Sequence, residues 1–243
     1  MHVTSFYMDY YACFLDFFFK KSNTSIISKK NKIQQLIAQG EGQCLDFKFE
    51  VSDAAKIARS LVAFANTDGG TLLIGVKDNG NISGIRSEEE YYMVQNAAER
   101  YCKPEIAFTS KEWNMGGKKG LEIKIPASKV FTHKAPDPNN KFKAYLRVND
   151  ENILAPGIQM KIWEKLNTNR SIKFVYTDNV KNILAHINEN SKISIGDIQK
   201  KSKLTKFKTD NILAELIIMK TLNLHIEVNN VYVSLNDKPE NDY

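Results

Sequence analysis

The 243 residues carry 42% hydrophobic side chains with only 12 Gly and 6 Pro, a composition that can bury one or two ordinary cores and excludes a disordered or collagen-like chain. The formal charge of +6 is distributed unevenly: residues 1–39 hold 5 basic and 2 acidic groups, residues 40–156 hold 16 of each, and residues 157–243 hold 13 and 10. The basic excess in the flanks attracts polyphosphates or anionic surfaces and carries no information on fold. Three widely spaced cysteines, Cys13, Cys44 and Cys102, fit a reducing compartment better than a disulfide framework, and neither they nor the four histidines have zinc-site spacing.

In chain order, the first segment is the aromatic run FYMDYYACFLDFFF, which Asp9 and Asp16 interrupt and no basic segment precedes. It reads as neither a secretory signal nor a membrane span. The alternatives are a start codon other than Met1, a short helix folded onto the protein, or a helix that docks on a partner or interface. No other apolar run approaches the length of a span, so the expectation is a cytoplasmic protein with no membrane partner.

After the Lys-rich approach at residues 29–39, Cys44 to Phe49 alternates, with Leu45, Phe47 and Phe49 on one face and Asp46 and Lys48 on the other. That pattern predicts a half-buried strand. Ser52 then caps a predicted helix whose apolar positions Ala54, Ile57, Ala58, Leu61, Val62 and Ala65 keep the helical period, with Asp53 favouring its first turn. Gly69 and Gly70 stop it, Thr71 to Val76 forms a central strand, and Asp78-Asn79-Gly80 turns into Asn81 to Ile85. A helix from Ser87 to about Tyr101, two strands about Gly116-Gly117 and a strand from Lys143 to Val148 complete the expected domain.

Beyond Lys173, Asp178 caps a predicted helix with Val180, Ile183, Leu184 and Ile187 on one stripe, and a short helix follows around Asp197 to Lys201. Thr205 caps a third helix, whose buried stripe is Ile212, Leu213, Leu216 and Ile217. Strands Leu224 to Val228 and Val231 to Leu235 meet at Asn229-Asn230, a pair suited to a hairpin turn. Three helices and a hairpin in this order predict a winged helix.

Two groups of residues point to chemistry. If the strand bearing Asp46 lies beside the one that ends at Lys77, then Glu41, Asp46 and Asp78 converge with Lys48 nearby. Such a set would hold Mg²⁺ or Mn²⁺ and neutralise a phosphodiester under attack. The alternative is purely structural, with Asp78 a turn former and Asp46 and Lys48 a solvated face. The second group is Lys200, Lys201, Lys203, Lys206 and Lys208, around the turn and start of the third helix, where winged helices contact phosphate and the major groove. The alternative readings are a solvated face or a dimerisation and docking surface. Lysines serve affinity more than base reading, and Arg170 is the only arginine of the C-terminal segment. Gly69 and Gly70 stand in a helix–turn–strand order, whereas a Walker A loop runs strand–loop–helix and needs G-x-x-x-x-G-K-[ST], which is absent.

The ordered strings GQCLDFKFE, LVAFANTDGGTLLIGVKDNGNISGI and YLRVNDENILAP resemble the Schlafen AlbA domain family over about residues 40–156. The resemblance implies an α/β fold and a nucleic-acid-binding role, and bacterial members often carry a C-terminal winged helix. Eukaryotic Schlafens that cleave RNA use three carboxylates matching Glu41, Asp46 and Asp78, with Asp46 standing where the family usually has the longer Glu. Bacterial relatives are often described as ATP-binding, which the missing Walker A motif does not support.

The expected architecture is α+β: an extension (residues 1–39), a Schlafen AlbA-like α/β domain (40–156), a connecting helix or linker (157–175), a winged helix-turn-helix domain (176–236) and a tail (237–243). The expected function is nucleic-acid binding by a bacterial-type DNA-binding transcriptional regulator, on duplex DNA or structured RNA, with homo-oligomerisation left open. The competing expectations are a divalent-metal-dependent endoribonuclease acting on tRNA or rRNA and a non-catalytic interaction module of a defence system. No cofactor is expected beyond Mg²⁺ or Mn²⁺ in the nuclease case.

Overall fold

A computed structural model describes residues 32–128, 132–168 and 174–236, so the aromatic N-terminal run, Arg170 and the tail lie outside the described residues. The chain forms a mixed α+β structure in two compact units that divide between Leu154 and Ala155. No described helix is long and apolar enough to cross a membrane.

The first unit is built on a four-stranded sheet of β1 (Leu45–Lys48), β2 (Gly70–Ile74), β3 (Thr109–Met115) and β4 (Lys118–Ile125), in the order β1-β2-β4-β3. β1 and β2 are parallel, with Asp46 opposite Leu72, and the other pairs are antiparallel. Helix α1 (Lys32–Gln39) precedes the sheet, and α2 (Ala54–Ala65) is the crossover that the parallel pair requires. The strands bury both faces. Leu72, Ile74, Leu121 and Ile123 pack with Ile57, Leu61, Phe64 and the rest of the apolar stripe of α2. Leu45, Phe47, Leu73 and Trp113 pack on the opposite face with Ile33 of α1. The alternation read from the sequence locates β1 and its two faces, but the strand is not half-buried as expected: Asp46, on the polar face, is buried as well.

Local boundaries shift where a neighbouring polar residue makes the better cap. Asp53, not Ser52, caps α2, its Oδ1 accepting from the N–H groups of Ala55 (2.9 Å) and Lys56 (3.2 Å). At the other end Gly69 adopts φ +73° and its N–H bonds to Phe64 O at 2.9 Å, the expected helix stop. Helix α3 (Glu89–Asn96) continues as a π-turn over Ala97–Tyr101. Residues 81–85 form a single bridge, Val76 to Ile82, and no strand. The expected strand from Lys143 to Val148 is split between two hairpins. One pairs β5 (Ala135–Pro136) with β6 (Phe142–Lys143), and the other pairs β7 (Tyr145–Val148) with β8 (Glu151–Leu154) through a turn with Asn149 at φ 57°. Cys102 is a free, buried thiol whose pKa burial pushes up to about 12.

The second unit opens with α4 (Gly157–Asn167), whose Ile158 and Ile162 are buried in the unit's own core, so most of the expected linker is part of a folded body. It continues through α5 (Asp178–Asn188), β9 (Ile193–Ser194), α6 (Ile195–Ser202), α7 (Lys206–Ile218), β10 (Leu222–Ile226) and β11 (Val231–Leu235). Thr177, rather than Asp178, caps α5. Thr205 caps α7 as expected, its Oγ1 accepting from Lys208 N at 3.4 Å. The strands form a sheet in the order β10-β11-β9, in which the short β9 supplies an edge that periodicity did not predict. Ile183, Ile187, Ile198, Leu213 and Leu216 fill the core beneath it, with Ile212 and Ile217 partly buried.

Candidate functional site

Asp46 sits in the middle of β1 on the face toward α2 and is only 3% exposed. A buried carboxylate needs partners, and the fold supplies two cations. Arg147 on β7 brings Nη2 to 3.3 Å from Oδ1, and Lys48, two residues along the same face, brings Nζ to 2.7 Å from Oδ2. The Lys48 contact is ionic without hydrogen-bond alignment, since Oδ2 accepts no aligned donor, and Nζ also donates to Phe47 O at 2.7 Å. Lys48 is therefore occupied in holding Asp46.

Arg147 is the hub of this cluster. Its side chain is 1% exposed. Nε donates to Gly42 O at 3.1 Å, Nη1 to Asn152 Oδ1 at 3.1 Å and Nη2 to Leu45 O at 3.3 Å, while the guanidinium lies 5.1 Å from the centroid of the Phe64 ring. Gln43 closes the network, donating to Arg147 O (2.9 Å) and Asp68 Oδ2 (2.8 Å) and accepting from Asn149 N (2.8 Å). Asp46 and Lys48 of this network stood out in the sequence; Arg147, Gln43 and Asn152 did not. The available signal for Arg147 was a charged residue inside the apolar run of a strand.

Glu41 approaches the same place from the loop before β1. Its Oε1 accepts from Phe47 N at 2.8 Å. Burial, followed by the adjacent carboxyl of Asp46, pushes the Glu41 carboxyl above the ordinary range, against the opposing effects of the Phe47 N–H and Lys48. Glu41, Asp46 and Lys48 thus do come together.

Asp78 does not join them. It lies exposed in the turn Lys77–Gly80, which Gly80 N closes on Lys77 O at 2.7 Å with Gly80 at φ 79°. Among the described residues no group of three or more His, Cys, Asp or Glu side chains is placed to hold a metal ion. Both oxygens of Asp46 already face cations, so the residues present do not fit the Mg²⁺ or Mn²⁺ centre that the three carboxylates implied.

The N-T-D-G-G segment is structural. Asn66 Nδ2 donates to His133 O and Tyr145 O at 2.9 Å each, and its Oδ1 accepts from His133 N at 2.8 Å, so one amide joins three segments. A Cβ on Gly69 would stand 2.7 Å from Ile125 O, which accounts for glycine without any phosphate.

In the second unit the five lysines are all exposed around the α6–α7 turn. Lys200 pairs with Asp197 at 3.5 Å across one helical turn, and Lys201 contacts His186 Nδ1 at 2.7 Å and Glu189 Oε2 at 3.4 Å. Lys203 takes the left-handed conformation at φ 54° that ends α6. Lys206 and Lys208 stand in the first turn of α7, and among the described residues neither they nor Lys203 form an ion pair within 4.0 Å. Beneath Lys206, the buried carboxyl of Asp210 is raised by desolvation, with Lys206 and Lys161 opposing the rise. Lys203, Lys206 and Lys208 thus stand on this face without an ion pair among the described residues, with the Asp210 carboxyl beneath Lys206.

No curated protein is detectably similar to the chain. Among solved structures it is similar to the DIP2311 protein of Corynebacterium diphtheriae, with 19% identity and a TM-score of 0.39 over 60% of this chain and 29% of that one. It is also similar to the N-terminal domain of a RecG-related protein of Nitrosomonas europaea, with 18% identity and a TM-score of 0.34 over 61% of this chain and 96% of that one. The chain therefore spans less than a third of the first of these proteins. The family model described as Schlafen, AlbA_2 matches residues 41–156, and this match supports a Schlafen AlbA domain in the first unit.

Proposed function

We propose that the protein binds nucleic acid, with the second unit acting as a winged helix that docks α7 on duplex DNA and the AlbA-type domain adding a second binding or ligand-sensing surface. The observation that carries this reading is the cationic start of α7. Lys203, Lys206 and Lys208 are exposed and, among the described residues, free of ion pairs. They stand on a helix–strand–helix–helix–hairpin order whose third helix is the one that enters a groove in winged helices. The family match at residues 41–156 supports nucleic-acid binding by the first unit as well. A role as a transcriptional regulator follows if the docking is sequence-dependent. A cytoplasmic location is part of the same proposal.

Neutralised phosphates release counterions, so duplex affinity is expected to fall linearly with salt on logarithmic axes. Replacing Lys206 and Lys208 by Ala should weaken binding and reduce the salt slope by about 0.9 for each phosphate that is no longer neutralised. Fluorescence anisotropy on a labelled duplex across a salt titration reads both quantities. Unchanged affinity and slope would remove α7 from the interface.

A further inference from the structure

Phe207 lies between Lys206 and Lys208 in the first turn of α7 and is 63% exposed, while Leu213, Ala214 and Leu216 of the same helix are buried. A single exposed hydrophobic side chain is ordinary; the setting of this one is not. Lys161 of α4 places Nζ 4.8 Å from the ring centroid, a cation–π contact that orients the ring. Asn211, one helical turn further on, shares the same stripe of α7, and its Nδ2 donates to Phe207 O at 2.9 Å. The stripe is flanked by the exposed ammonium groups of Lys206 and Lys208.

An apolar ring set in a cationic field calls for a partner that offers anions at its rim and apolar groups at its floor. The major groove of duplex DNA rich in A·T pairs has both, in its phosphates and in the C5-methyl groups of thymine. A-form RNA has neither a groove of sufficient width nor the methyl group.

We propose that Phe207 and Asn211 form a reading stripe for A·T pairs, with the ring packed on thymine methyls and the Asn211 amide facing adenine. Its Oδ1 accepts from the N6 amino group, and the Nδ2 hydrogen not engaged by Phe207 O donates to N7. This rests on the docking of α7 described above and adds the base composition that the helix selects.

The test compares the affinity of the full chain for four duplexes of one length: alternating A·T, the same with uracil for thymine, the same with 7-deazaadenine for adenine, and alternating G·C. The wild type should prefer thymine over uracil by roughly four-fold for each methyl buried, and adenine over its 7-deaza analogue. Phe207→Ala should abolish the thymine preference with an unchanged salt slope, Phe207→Leu should keep part of it, and Asn211→Ala should abolish the adenine preference. Lys208→Ala should weaken every duplex alike and leave the ratios intact. Because Phe207 is exposed, its variants are expected to melt with the wild type. A thymine-to-uracil ratio of one in the wild type, or a ratio retained in Phe207→Ala, overturns the proposal. If Lys206→Ala/Lys208→Ala still weakens binding in that case, the docking of α7 stands and only the reading stripe is lost. If no duplex is bound at all, the docking itself is refuted.

Discussion

Truncating Arg147 to Ala tests whether the Asp46 cluster holds the first unit together. The substitution removes a guanidinium that is 1% exposed and leaves Asp46, whose side chain is 4% exposed, with Lys48 as its remaining cation. It also strips donors from Gly42 O, Leu45 O and Asn152 Oδ1. Breaking one side of a buried ion pair costs about 3–5 kcal/mol, a large part of the roughly 5–15 kcal/mol that stabilises a domain. Asp46→Asn should cost less, about 1.5–3 kcal/mol, because an acceptor oxygen remains and Arg147 keeps three other acceptors. The double variant should lose less than the sum of the two, by about 0.5–3 kcal/mol. Trp113 and Trp163 are the two tryptophans, so a Trp163→Phe background leaves Trp113, buried in the first unit, as the fluorescence reporter in urea unfolding. A loss for Arg147→Ala below about 1 kcal/mol, or additive losses in the double variant, would refute the account of Arg147 as the hub.

Glu41 carries a pH signature. Its folded pKa lies above the ordinary 4.5, so the native state binds more protons than the unfolded chain and stability falls as pH rises from 4.5 through the raised value. Glu41→Gln keeps an acceptor for Phe47 N and removes that dependence. Its melting temperature relative to the wild type should therefore be higher at neutral pH than below 4.5; a difference of opposite sign in thermal melts would contradict the burial argument. Gly69→Ala should destabilise the first unit by about 1–3 kcal/mol, from a strained left-handed backbone and a Cβ pressed on Ile125 O at 2.7 Å. Urea unfolding of a variant that matched the wild type would show that the helix stop is not needed there.

The elements that periodicity predicted are those whose register is a local matter. β1 was located because alternation over four residues separates its two faces, although it did not show that the Asp46 face is buried too, and α2 and α7 read correctly because their apolar stripes repeat every three to four residues. Caps move by one residue, from Ser52 to Asp53 and from Asp178 to Thr177, because either neighbour has a suitable oxygen and backbone geometry selects between them. The short β9 was illegible, since two residues hold no period and become a strand only by pairing with Tyr232 and Val233.

The site separates along the same line. Composition and spacing determined that a carboxylate and a lysine share one face of β1, that Asp78 occupies a turn and that lysines gather at the start of α7. All of these are relations between residues close in sequence. Tertiary structure alone decided what they do: Arg147, 101 residues from Asp46, arrives on another hairpin and neutralises it, while Asp78 stays out in solvent. A buried charge has to be matched by whatever cation the fold brings, and no local pattern records which one that will be.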